Sequence, residues 1–167
     1  MHKSIAHYIF PVISRSIAVT EAPKGLSLHL DDQLCFALYS ASHLMTKAYR
    51  PMLTALGLTY PQYLVMLVLW EADDLTVGAL GEKLYLDSGT LTPLLKRLEA
   101  QGMVERRRDP ADERQVRILL TEAGRTLQAE ARKHYEALVC SLGAPGPEVM
   151  ALRAAVAAFR ERLAAGA

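Results

Sequence analysis

Apolar positions recur at helical spacing over most of the chain and at strand spacing over one short stretch. From Leu30 to Leu56, the residues Leu30, Leu34, Leu38, Leu44, Met45 and Met52 mostly follow i, i+4 and i+7 intervals, which predicts a long helix. Asp31 and Asp32 fall in its expected first turn, where the helix dipole favours negative charge. Pro51 predicts a kink or a break late in the helix, and Gly57 predicts its stop. Thr59-Tyr60-Pro61 opens a second helix, whose body from Tyr63 to Trp70 is apolar on nearly every side and is expected to be buried. Thr76 suits the cap of a short helix, Val77 to Leu84, and a turn follows at Tyr85-Leu86-Asp87. The stretch DSGTLTPLLKRLEAQG then reads as another helix, ended by Gly102. Leu91, Leu94, Leu95 and Leu98 form one face of it, and Ser88, Thr90, Thr92, Lys96 and Arg97 lie on the other.

After Gly102 the period falls from about 3.6 to about 2. Met103 to Arg108 and Gln115 to Leu120 read as two strands, the second with Val116, Ile118 and Leu120 alternating. Between them Asp109-Pro110-Ala111-Asp112-Glu113-Arg114 is a turn-rich tip. Thr121 caps a long helix, roughly Glu122 to Leu142, and Gly143 to Pro147 breaks it. A last helix carries Val149, Leu152, Val156, Phe159 and Leu163 in a short heptad seam that requires a partner. The pattern predicts a mainly α fold with a small β wing, a winged helix-turn-helix.

Composition narrows the function. The chain has 167 residues, 51% hydrophobic and 22% charged, enough for one domain with a real core and against wholesale disorder. Lys and Arg number 19 against 18 Asp and Glu, a net charge of +1, so any basic surface is local. Two cysteines exclude a disulfide framework of the small secreted kind. The longest clean apolar run, Leu64 to Trp70, is too short to span a bilayer, so no membrane partner is expected. Residues 1–27 read as a flexible N-terminal extension, since the apolar patch from Tyr8 to Ile13 is broken by Pro11 and no cleavage site follows; the chain then reads as cytoplasmic. The five histidines (His2, His7, His29, His43, His134) lack metal-ligand spacing, so neither a metal nor another cofactor is expected.

Two short helices joined by a tight turn and followed by a basic hairpin point to double-stranded DNA. The second helix of such a motif enters the major groove by its early residues. Ser88, Thr90 and Thr92 approach base edges there without bulk, and Lys96 and Arg97 are placed for phosphates. From Ser88 to Arg108 five basic residues (Lys96, Arg97, Arg106, Arg107, Arg108) stand against two acidic ones. Arg114, at the tip, suits a narrow minor groove, and Asp112 is close enough to orient it by a charge-assisted hydrogen bond.

The stretch DSGTLTPLLKRLEAQGMVERRRDPADERQVRILLTEAG resembles the MarR family of dimeric winged-helix regulators, with DPADER its most specific piece. The earlier stretch LDDQLCFALYSASHLMTKAYRPMLTALGLTYPQYLVMLVLWE is similar to the organic hydroperoxide resistance regulator branch. The resemblance covers about residues 29 to 143 and, more loosely, the last helix. It implies a MarR-type domain over 28–167, with a DNA-binding lobe at 58–121 and dimerisation helices at 28–57 and 122–167. It implies a homodimeric repressor, not an enzyme, that leaves its operator when an organic hydroperoxide oxidises a cysteine. In this branch the sensing cysteine lies in LCFALY, here Cys35, and the accompanying tyrosines match Tyr39, Tyr49 and Tyr60. Cys140 matches the second cysteine of members that form a disulfide, and the expected bond joins Cys35 to the partner's Cys140.

The residues themselves leave alternatives open. Peroxide attacks thiolate, so the site must favour ionisation, and phenol donors would do so. Taken without the resemblance, Cys35 reads as an ordinary buried cysteine and the tyrosines as core residues. A second reading is a MarR-type repressor released by a small aromatic or phenolic ligand near Tyr49 and Tyr60, without cysteine chemistry. A third, a thiol peroxidase, lacks any local motif supplying an acid or cation beside the thiol.

Overall fold

A computed structural model describes residues 27–141 and 146–166. The elements run α1 (Leu34–Leu56), α2 (Tyr60–Glu71), β1 (Leu75–Thr76), α3 (Val77–Leu84), α4 (Ser88–Ala100), β2 (Val104–Arg108), β3 (Val116–Leu120), α5 (Glu122–Ser141) and α6 (Pro147–Ala165). The expectations for residues 1–26 and for the break at 143–145 lie outside the described residues. Two compact units emerge, one within residues 37–142 and the other within 1–36 and 143–167.

The long first helix starts later than its periodicity suggests. Leu30–Asp32 is a separate 3-10 turn, and Gln33 is extended. The Gln33 side-chain Nε2 donates to the Ser27 carbonyl at 2.7 Å and to the His29 carbonyl at 3.3 Å, so the chain closes on itself before α1 begins. Asp31 and Asp32 therefore lie outside the first turn of α1. Pro51 does not break α1, which continues to Leu56. Met52, Leu53 and Leu56 are buried just beyond it, and this packing compensates the hydrogen bond that proline cannot donate.

The motif helices start as their caps dictate. The Thr59 hydroxyl accepts from the Gln62 amide, while the Gln62 side chain accepts from the Thr59 amide at 2.9 Å, a capping box at α2. Thr76 and Asp87 accept from Ala79 and Thr90 amides at 3.1 and 2.9 Å. Between α3 and α4 the chain turns through Tyr85 at φ 55°. The turn is tight enough that a Cβ on Gly81 would stand 2.7 Å from the Leu86 carbonyl oxygen.

β3 is central in an antiparallel sheet of order β1-β3-β2, with Val104 opposite Leu120, Arg106 opposite Ile118 and Leu75 opposite Ile118 on the other edge. β1 is absent from the sequence reading, because two residues carry no period. The core gathers Val65, Met66 and Leu69 of α2, Leu80 of α3, Leu91, Leu95 and Leu98 of α4, and Val104 and Ile118 of the sheet. Ala131 of α5 and the end of α1 belong to the same cluster. Trp70 Nε1 donates to the Gly124 carbonyl at 2.9 Å, tying α2 to α5.

Candidate nucleic-acid interface and redox site

Ser88 and Thr90 are exposed at the start of α4, and Thr92 is half-buried. Their hydroxyls are not equivalent. Thr90 Oγ1 donates to Asp87 at 2.8 Å, and Thr92 Oγ1 donates to the Ser88 carbonyl at 2.6 Å, so each has spent its proton and keeps only acceptor lone pairs. The Thr90 bonds hold the Asp87 carboxyl below its ordinary range. Lys96 and Arg97 are exposed, and Arg97 borders a groove with Leu53, Gly57 and Gln101 at the end of α1.

The three consecutive arginines do different things. Strand alternation turns Arg106 to the side of buried Val104, where its Nη1 lies 3.7 Å from Glu99 of α4 and its Nε is buried without a partner. Arg107 is on the opposite face and donates twice to Glu105, at 2.8 and 2.7 Å. Arg108 is exposed at the end of β2. At the tip Arg114 Nε donates to Asp112 at 3.0 Å, and its other contact to that carboxylate is 3.3 Å, while the arginine side chain stays 90% exposed.

Sequence reasoning missed what anchors this hairpin. Arg117 of β3 donates from Nε to Asp74 at 2.6 Å, from Nη1 to buried Asp109 at 2.9 Å and from Nη2 to the Asp74 carbonyl. Asp73 accepts from the Leu120 amide at 2.8 Å and from Arg125 of α5 at 2.7 Å. Burial raises the Asp73 pKa, but these bonds and the Asp74 amide outweigh it and leave the carboxyl below its ordinary range. Gln62 was also missed: it lies inside an apolar helix, yet it is buried and donates to Gln101, which in turn donates to the Gly57 carbonyl. The signal for both was a polar residue within a strongly patterned run.

Cys35 is in the first turn of α1 and Cys140 in the last turn of α5; both are free and exposed. Tyr39 is exposed and stacks on His43, one turn on. Tyr49 and Tyr60, by contrast, meet edge to face at 5.5 Å, and Tyr63 joins them 6.2 Å from Tyr49. With Trp70 and Tyr135 they line a cavity of about 420 Å³ that Gln128 and Arg132 of α5 also border. Burial, with the neighbouring Tyr135, Tyr60 and Tyr63, pushes the Tyr49 pKa up to about 12. Burial also raises Tyr63. Tyr49 therefore keeps its proton and remains a donor at neutral pH. Among the described residues no cluster of His, Cys, Asp or Glu could hold a metal ion, and no single helix is long and apolar enough to cross a membrane.

Residues 47–131 match the SarA/Rot transcriptional regulators. The organic hydroperoxide resistance transcriptional regulator of Bacillus subtilis is 57% identical over 104 residues, 62% of this chain and 71% of the relative. TtmR of Methylorubrum extorquens, an HTH-type transcriptional regulator, is 61% identical over 101 residues, which are 60% of this chain and only about half (52%) of TtmR. AbfR of Staphylococcus epidermidis shares the fold with a TM-score of 0.70 at 37% identity, over 80% of this chain and 92% of that one. AbfR structures include a reduced form bound to DNA, an overoxidized form bound to DNA and a disulfide form. The chain thus belongs to the SarA/Rot family of transcriptional regulators, winged-helix DNA-binding proteins, and is a homologue of the organic hydroperoxide resistance regulators.

Proposed function

We propose that the protein is a homodimeric repressor that senses organic hydroperoxides through Cys35 and then releases its operator. The observation that carries this reading is an exposed thiol at the start of the helix that also bears Tyr39 and Tyr49. α1 is unbroken, so Tyr49, fourteen residues after Cys35, is about 21 Å along the axis from the thiol of its own chain. The phenols of a second copy, lying antiparallel, reach where its own cannot. Exposed Leu34, Leu44 and Met45 on α1 and Leu152, Val156 and Leu163 on α6 supply apolar surface for that copy.

In the reaction, the Cys35 thiolate attacks one peroxide oxygen and the O–O bond breaks. The alkoxide leaves and takes a proton to become an alcohol, and the sulfur becomes a sulfenic acid. The partner's Cys140 thiol then displaces water to form the disulfide. The recognition helices read half-sites about one DNA turn apart, so a small rotation between copies spoils both contacts. Within each copy Ser88, Thr90, Thr92, Lys96, Arg97, Arg108 and Arg114 are the proposed DNA contacts, with Asp112 orienting Arg114, whereas Arg106 and Arg107 are drawn to Glu99 and Glu105 and contribute less.

The test follows binding to a duplex that the reduced protein selects from random sequence, before and after one equivalent of cumene hydroperoxide. Wild type is expected to release the duplex and Cys35→Ser to stay bound; release of both, or of neither, overturns the sensor. The tyrosine-lined cavity favours a second reading, release by a small phenolic ligand, which predicts loss of DNA binding under full reduction.

A further inference from the structure

We propose that Arg117 is a positioning residue for DNA binding: it bridges Asp109, at the root of the wing, to Asp74, at the corner before β1, and so fixes the direction in which Arg114 is presented. The inference rests on the wing acting as a DNA reader and names what aims it. Three features carry it. First, Arg117 is the one side chain that the described hydrogen bonds attach both to the wing root and to the body of the lobe. Second, its acceptors are held in turn. Asp109 Oδ1 accepts from the Ala111 amide at 2.8 Å, and the Asp109 amide donates to the Gln115 carbonyl at 3.0 Å, so the carboxylate that Arg117 grips is part of the wing turn. Asp74 stands in the left-handed region at φ 59°, and its amide donates to Asp73 Oδ1 at 2.8 Å. The neighbouring Asp73 is fixed to β3 and to α5.

Third, the wing carries little apolar packing of its own. From residue 109 to 115 only Asp109 is buried, and the tip is joined internally by Asp112 with Arg114 and Gln115. Beyond the last sheet pair, Arg108 with Val116, the tip has no buried apolar side chain to set its angle, so the polar contacts at its root do so. The planar guanidinium, with donors in a fixed fork, holds two acceptors in one geometry, which a lysine ammonium on a flexible stem does not. Arg117 does not touch DNA in this account. It acts through the wing, so its value is realised only when Arg114 is present.

The test is a double-mutant cycle on the same selected duplex at one salt concentration, using Arg117→Met, Arg114→Ala and the double variant of the full chain. The expected result is about a tenfold loss for Arg114→Ala, on the scale of one lost specific contact, and about a threefold to tenfold loss for Arg117→Met. The double variant should bind no more than about twofold worse than Arg114→Ala alone. Amide hydrogen exchange on the free protein supplies a readout that needs no DNA. The Ala111 and Gln115 amides should exchange at least about tenfold faster in Arg117→Met, with amides of α2 and α4 unchanged. Asp74→Asn, which keeps the side-chain shape, should reproduce the exchange effect in smaller measure.

Fully additive losses overturn the proposal, as does unchanged exchange at the wing. If Arg114→Ala binds like wild type there is nothing for Arg117 to aim, and the proposal fails while DNA binding by α4 stands. If the wild-type chain selects no duplex, the DNA-reading account fails together with it.

Discussion

The DNA-reading lobe and the flanking helical faces obey different rules. From Met52 to Leu120 the chain closes its own core: Leu80, Leu91, Leu98, Met66 and Ile118 are inaccessible, and every motif helix begins on a side-chain cap. The first half of α1 and all of α6 hold no fully buried residue, although both carry large apolar side chains. The lobe therefore folds on information within one chain. The helical faces instead leave Leu34, Leu44, Met45, Leu152 and Leu163 exposed, the apolar surface that the proposed second copy would cover.

The sharpest way to stress that contrast is a cavity in the lobe. Leu98→Ala should cost about 2–5 kcal/mol, measured by denaturant unfolding at fixed protein concentration. A cost below 1 kcal/mol would mean the core is not the source of stability. Gly81→Ala should cost about 1–3 kcal/mol in the same assay, because the new methyl meets backbone rather than a movable side chain. On the other side of the comparison, Leu152→Glu with Val156→Glu should change lobe unfolding by no more than about 1 kcal/mol, since both residues are exposed. The same pair should halve the mass in sedimentation. An unchanged mass would remove α6 from the self-association surface.

The smallest effect is a pH dependence. The Asp73 carboxyl has a folded pKa below its unfolded value, so its stabilisation is complete above about pH 4 and fades as pH falls through the folded pKa. Asp73→Asn should therefore be less stable than wild type by about 1 kcal/mol at pH 7, with the gap closing below about pH 4. A gap independent of pH would mean that the bonds to Leu120 and Arg125 do not depend on the charge.

Much of this is legible in the sequence alone. The cap at Thr76, the opening of α2 at Thr59-Tyr60-Pro61, the leucine face of α4 and the switch from helical to strand spacing after Gly102 are local signals, and the elements follow them, whereas Asp87 reads as turn and proves to be the cap of α4. What was not legible is non-local. Arg117 occupies an outward strand position that reads as solvent, and its role depends on Asp74, forty-three residues earlier. Gln62 owes its burial to Gln101 across the helix-turn-helix. Pro51 predicts a kink or a break from local chemistry, and the break does not occur because the buried residues after it keep the helix going. The phenol cluster lies between these extremes: Tyr49 and Tyr60 were readable, but Tyr63 and Tyr135 join them only through packing.

The most direct test of the account is non-reducing electrophoresis after one equivalent of organic hydroperoxide. A thiol at the start of α1 in one copy and a thiol at the end of α5 in the other should give a band at twice the chain mass. That band should vanish on reduction and be missing from both Cys35→Ser and Cys140→Ser. A wild-type protein that stays at the single-chain mass, or a double-mass band that survives either substitution, would contradict it.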